Sequence, residues 1–119
     1  MLSGKRARRV GDAILKEIAY LLLFRVGDPR VKGVTLTGIR LSDDLKHARV
    51  YYSVMGDADE VKVAQAGLES AKGFIKREIG IRMELRYVPD LVFIYDPSLK
   101  WSGQMDRLLE EIKGAKGEE

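Results

Sequence analysis

Leu68-Glu69-Ser70-Ala71-Lys72-Gly73-Phe74-Ile75-Lys76-Arg77-Glu78-Ile79 is the stretch whose reading decides the fold. Leu68, Ala71, Ile75 and Ile79 recur at steps of three and four, which is a helical stripe. Val61 and Ala64 extend it backwards. The stripe passes through Gly73 without losing phase. Two arrangements satisfy this: two helices, or one helix bent at Gly73, buried along a common side. Asp57 and Glu60 have the spacing of a capping box, so the helical region starts there. Gly80 is expected to end it. With Leu68 pointing inward, Ser70, Gly73 and Arg77 point outward.

Upstream lies a hairpin pattern. Residues 34–42 read as a strand in which Val34 and Leu36 share one face, while Ile39 and Leu41 have the opposite parity. The switch falls at Gly38, which predicts a β-bulge. Ser42-Asp43-Asp44 is a turn. In residues 46–54, Ala48, Val50, Tyr52 and Val54 alternate with His47, Arg49, Tyr51 and Ser53. One face of this hairpin is therefore polar, basic and aromatic. Before it, residues 3–26 form a helix with Val10, Ile14, Ile18 and Leu21 on its apolar side. Gly27 and then Pro29 terminate it. Glu17 sits near the middle of that apolar arc, so it needs a place at the core edge or a partner such as Arg.

Downstream, residues 85–96 contain a third strand. Leu91, Phe93 and Tyr95 alternate with Val92 and Ile94. Both parities are apolar, which predicts a central strand or one covered on both sides. Asp96-Pro97-Ser98 is a turn, Met105, Leu108, Leu109 and Ile112 suggest a short last helix, and residues 115–119 form a frayed polar tail. The order is αββααβ, an α+β domain over residues 1–114.

The chain has 119 residues, 45% of them hydrophobic and 33% charged. That size suits one domain with its own core. The absence of cysteine excludes disulfides, a thiol nucleophile and a thiolate metal site. No signal peptide or membrane span is expected. The net charge of +3 is unevenly spread. Residues 1–24, 25–50 and 72–86 each carry an excess of three positive charges. Residues 57–71 carry an excess of three negative ones, and 103–119 of two. Such separation suits a basic surface facing a polyanion, or an ordinary solvated surface.

Catalytic chemistry finds little support. His47 is the sole histidine, with no second His or Cys to share a metal. It reads as a structural or RNA-contacting residue. Asp43 and Asp44 are explained by a turn. Asp28 and Asp96 each precede a proline and read as turn or cap residues. No nucleotide-binding or hydrolase motif is present.

The outward surface around Gly73 is more informative. A bare helix surface lets a phosphate backbone come close. A helix starting there would add N–H donors and a favourable dipole. Lys72, Lys76, Arg77, Arg82 and Arg86 surround it, as phosphate-dominated binding requires. The other reading is that Gly73 serves only a kink or close helix packing.

Taken in order, several segments resemble the bacterial ribosome-binding factor A family. They are Arg6-x-Arg8-Arg9-Val10, Asp28-Pro29-Arg30, Val34-Thr35-Leu36-Thr37, Ser42-Asp43-Asp44-Leu45-x-x-Ala48-x-Val50-Tyr51, Leu68-x-x-Ala71-x-Gly73-x-Ile75 and Leu85-Arg86-x-x-Pro89-x-Leu91-x-Phe93-x-x-Asp96. The resemblance covers nearly the whole chain. It implies a KH-like (type II) fold, a three-stranded sheet with helices on one side, and an Ala-x-Gly kink at Ala71-Lys72-Gly73 in place of the G-x-x-G loop by which KH domains clamp nucleic acid. It also implies binding to the 30S subunit and its 16S rRNA during late maturation, support of 5′-end processing, and a role that becomes limiting in the cold. No metal, cofactor or nucleotide is implied. The protein is expected to be cytoplasmic, monomeric and non-enzymatic, with an assembly GTPase as a further candidate partner.

The acidic C-terminal end departs from family members that carry a long basic extension. The RNA-facing residues are therefore expected to be Arg6, Arg8, Arg9, Arg30, Lys72, Gly73, Lys76, Arg77, Arg82 and Arg86. The competing readings are another KH-like RNA-binding or ribosome-associated interaction module, and a small ferredoxin-like enzyme built around His47, Asp43 or Glu17.

Overall fold

The computed structural model describes residues 2–97, with side chains from Lys5 onward. The helix expected at 105–112 and the tail at 115–119 lie outside them. Helix α1 (Leu2–Phe24) is followed by a 3-10 turn (Pro29–Val31), strands β1 (Val34–Leu41) and β2 (His47–Val54), helix α2 (Ala58–Arg82) and strand β3 (Asp90–Tyr95).

β1 and β2 form the expected antiparallel hairpin. Their register shifts between Leu36 and Gly38, leaving Thr37 as the extra residue. Val34 and Leu36 before the bulge, and Ile39 and Leu41 after it, thereby reach the same face. β3 runs parallel to β2, which requires a long crossover, supplied by α2.

The sheet order is β1-β2-β3, so β3 is an edge strand, not a central one. Leu91 and Phe93 are buried, whereas Val92 is 49% exposed. The apolar residues of opposite parity face outward, where branched side chains still favour a strand conformation.

α2 is one helix of 25 residues. Gly73 costs it about 1 kcal/mol relative to alanine. Leu68, Ala71, Ile75 and Ile79 are buried on both sides of that glycine, and their packing holds the helix together. Asp57 and Glu60 form the complete capping box. Gly80 does not end the helix. A side chain there would meet Val88 at 3.0 Å, so Gly80 admits the loop that folds back over it. The turn after the helix places Glu84 at φ 54°.

The core lies on one side of the sheet. Ile14, Ile18 and Leu21 of α1 and Leu68, Ile75 and Ile79 of α2 pack with Val50, Tyr52, Leu91 and Phe93. Gly11 faces β1, where a Cβ would sit in ordinary contact with Ile39 at 3.4 Å. Tyr52 is fully buried. Its hydroxyl donates to Gln65 Oε1, and Gln65 Nε2 donates to the Phe93 carbonyl at 3.1 Å, so the buried polar atoms are satisfied.

Candidate nucleic-acid interface

Ser70, Gly73 and Arg77 are all exposed and share the outward stripe of α2. A Cβ at Gly73 would have no heavy atom within 4 Å. Close helix packing therefore does not explain this glycine. The packing glycine is Gly67, where a Cβ would meet Arg30 Cβ at 2.8 Å and Val31 Cγ1 at 2.9 Å. Ala64, Gly67 and Ala71, small residues at helical spacing on the buried side, were the available signal for it.

The flank toward β3 carries Lys72 and Lys76. Lys72 pairs with Glu69 at 2.9 Å, and Lys76 pairs with Asp90 at 2.9 Å. These bonds hold both carboxyls below their ordinary pKa. The Glu69–Lys72 spacing could have been read from sequence; Asp90 comes from a separate strand and could not.

The flank toward α1 carries Arg30. Its Nε and Nη2 donate to the Asp28 carboxylate, and Nη2 also reaches Ser70 Oγ at 3.2 Å. Asp28 caps the 3-10 turn by accepting from the Arg30 N–H at 2.9 Å. The side-chain bonds from Arg30, and then this backbone bond, push the Asp28 pKa down. Arg25 stands nearby, 3.8 Å from Glu78 and 6.0 Å from the Phe74 ring centre.

Arg77 differs from its neighbours. It is exposed, and among the described residues no ion pair or side-chain hydrogen bond engages it. It is the cation on this stripe that is free to meet an incoming anion.

Three expectations require correction. First, α2 is continuous, so no second helix N-terminus stands at Gly73. The N–H groups there belong to the helical ladder, and an anion must be held by side chains. Second, Arg82 does not share the outward stripe. It follows Ile79 by three residues and Ile75 by seven, on the buried side. It turns to α1, donating from Nε to Glu17 Oε1 at 2.6 Å and covering Tyr20 at 4.5 Å. Glu17 is thereby the Arg-paired carboxylate foreseen. Third, the cations do not form one cluster. Glu17 meets Arg82 and Arg25 meets Glu78, so the helices run antiparallel. At 1.5 Å per residue, Arg8 lies roughly 25 Å from Gly73 along the helix direction. Arg6, Arg8 and Arg9 are exposed at the far end of α1. Arg86 lies beyond α2, over Tyr87 at 5.7 Å. The group brought together is Lys72, Gly73, Lys76 and Arg77, with Arg30 on its flank.

The remaining candidates are accounted for locally. Asp44 accepts from Ser42 Oγ at 2.6 Å and from the Lys46 N–H at 3.0 Å within the hairpin turn. His47 is exposed on the outer sheet face. Among the described residues, no cluster of His, Asp or Glu could hold a metal ion, and no helix is long and apolar enough to cross a membrane.

The family model of ribosome-binding factor A matches residues 6–109. The chain belongs to the ribosome-binding factor A family. A ribosome-binding factor A of Syntrophus aciditrophicus is 46% identical over 112 residues, covering 94% of this chain and 91% of that relative. The crystal structure of ribosome-binding factor A from Thermus thermophilus matches with a TM-score of 0.66 at 21% identity, over 75% of this chain and 93% of that one. A Thermus thermophilus ribosome-binding factor A homology model, fitted into a cryo-EM map of a 30S complex, matches with a TM-score of 0.55 at 24% identity, over 76% and 90% of the two chains. Both likenesses establish the α+β, KH-like architecture, and the family match spans every candidate cation from Arg6 to Arg86.

Proposed function

We propose that this chain is a ribosome-biogenesis factor that binds the 30S subunit through the backbone of 16S rRNA. It aids late maturation and 5′-end processing. The outward stripe of α2 is its principal contact, with Ala71-Lys72-Gly73, expected as a kink but continuous within α2, acting through the bare surface at Gly73 that lets a phosphate backbone come close. The observation that carries this reading is Arg77: an uncommitted cation one turn from a bare glycine, flanked by Lys72 and Lys76. Family membership supports the subunit as target, and the Thermus relative fitted into a 30S complex supports it further. Phosphate contacts position without reading sequence, which suits a factor whose target is a folded RNA.

In this reading the protein acts as a cytoplasmic monomer without cofactor or catalysis, and its loss is felt most in the cold. An assembly GTPase working on the same subunit is a natural partner. The test is co-sedimentation with mature and immature small subunits, together with mapping of 16S rRNA 5′ ends in cells lacking the protein. Preference for immature subunits and accumulation of 5′-extended precursor at low temperature are expected. Equal binding to both subunit forms, with normal 5′ ends, would overturn the reading.

A further inference from the structure

The face of the sheet turned away from the helices carries a second cationic site. Arg40 and Arg49 are direct register partners on β1 and β2. Both are exposed, and among the described residues neither has an ion pair. Like charges placed directly opposite destabilise a sheet. The arrangement therefore works against the fold unless something negative lies over it.

The surroundings indicate what that is. Beside Arg49 on β3 is Val92, and the neighbouring row is Gly38, Tyr51 and Ile94. Tyr51 and Ile94 are half-buried, and the space over Gly38 is open. This is a flat aromatic and aliphatic platform next to two guanidiniums. His47 shares a concavity with Arg40 and Arg49 at the hairpin end. Arg8 shares an adjoining one with Arg40 around the β1 edge. The acids there are Asp12 and Asp43, two against three arginines. Cations that follow a backbone beside an aromatic surface that stacks bases are what single-stranded nucleic acid requires. A duplex hides its base faces and would leave Tyr51 unused.

We infer that the outer sheet face, centred on Arg40, Arg49 and Tyr51, is a second RNA-contact surface that takes a single-stranded segment. It rests on the reading of the chain as an rRNA-binding factor but occupies a different surface, with Arg8 at its edge.

The test uses the full chain, a labelled oligouridine of about ten nucleotides, and inorganic polyphosphate as a probe without bases. Arg40→Glu should weaken binding of both probes about tenfold. Because it places a carboxylate opposite Arg49, it should melt no lower than the parent chain. Tyr51→Ala should weaken oligouridine binding about tenfold and leave polyphosphate unchanged. Oligouridine affinity unaffected by Arg40→Glu would overturn the inference. So would crosslinks from position 49 that land on a ribosomal protein and not on rRNA. Lys76→Glu/Arg77→Glu, measured alongside on small subunits, reports on the α2 stripe alone. Failure there with success here would therefore separate the two surfaces.

Discussion

Gly67 and Gly73 stand six residues apart in one helix and face opposite environments. A Cβ at Gly67 would collide with Arg30 and Val31, and one at Gly73 would meet nothing within 4 Å. The same substitution must therefore have opposite signs at the two sites. Gly67→Ala overpacks the contact between α2 and the 3-10 turn and should destabilise by about 1–3 kcal/mol. Gly73→Ala should stabilise by up to about 1 kcal/mol through helix propensity, yet weaken small-subunit binding. Thermal melts and co-sedimentation of both variants check this. A Gly73→Ala protein that is more stable and binds as before would remove the argument for a bare surface.

Lys76 and Arg77 are neighbours with unequal freedom. Lys76 must exchange Asp90 for a phosphate, whereas Arg77 exchanges only water. Arg77→Ala should therefore cost more affinity than Lys76→Ala. Asp90→Asn should release Lys76 and steepen the salt dependence of binding by up to about one unit. Titrations against small subunits at several salt concentrations read both effects.

Much of this layout was legible in the sequence. The bulge follows from a parity change between Leu36 and Ile39, although its extra residue is Thr37 and not the expected Gly38, and the capping box follows from Asp57 and Glu60. The pairing of Glu17 follows from a charge set in an apolar arc. What escaped reading depends on three-dimensional neighbours. Asp90 neutralises Lys76 from another strand, and Arg82, still exposed, turns toward Glu17 of α1 because its phase follows Ile75 and Ile79. β3 looked central because Val92 and Ile94 are apolar, although the face they occupy is open. The ring of cations expected around Gly73 is incomplete because Arg82 pairs with Glu17 of α1 and Arg86 lies beyond the end of α2, while the antiparallel helices carry Arg6, Arg8 and Arg9 away from the middle of α2.

Acid should loosen the site before it unfolds the core. Asp28, Asp44, Glu69 and Asp90 all have pKa values held below the ordinary 3.8 for aspartate and 4.5 for glutamate, each by hydrogen bonds that favour the charged form. A depressed folded-state pKa stabilises above the unfolded value and loses that contribution as pH falls through the folded value. The melting temperature should be insensitive to these groups above about pH 5 and fall progressively below it. A D28N/E69Q/D90N variant should show a shallower decline. An identical decline would mean that other groups govern acid stability.

Glu84 sits at φ 54° in the turn after α2, where non-glycine residues are strained. Glu84→Gly should raise stability by up to about 1 kcal/mol, with no change in subunit binding, as read by denaturant titration. A destabilised variant would show that the Glu84 side chain makes a contribution larger than the backbone strain.

The most direct measurement is the salt dependence of small-subunit binding by the Lys76→Glu/Arg77→Glu protein beside the parent chain. Loss of phosphate contacts at the α2 stripe predicts weaker binding and a logarithmic slope shallower by roughly one to two units. Unchanged affinity with an unchanged slope would contradict the account.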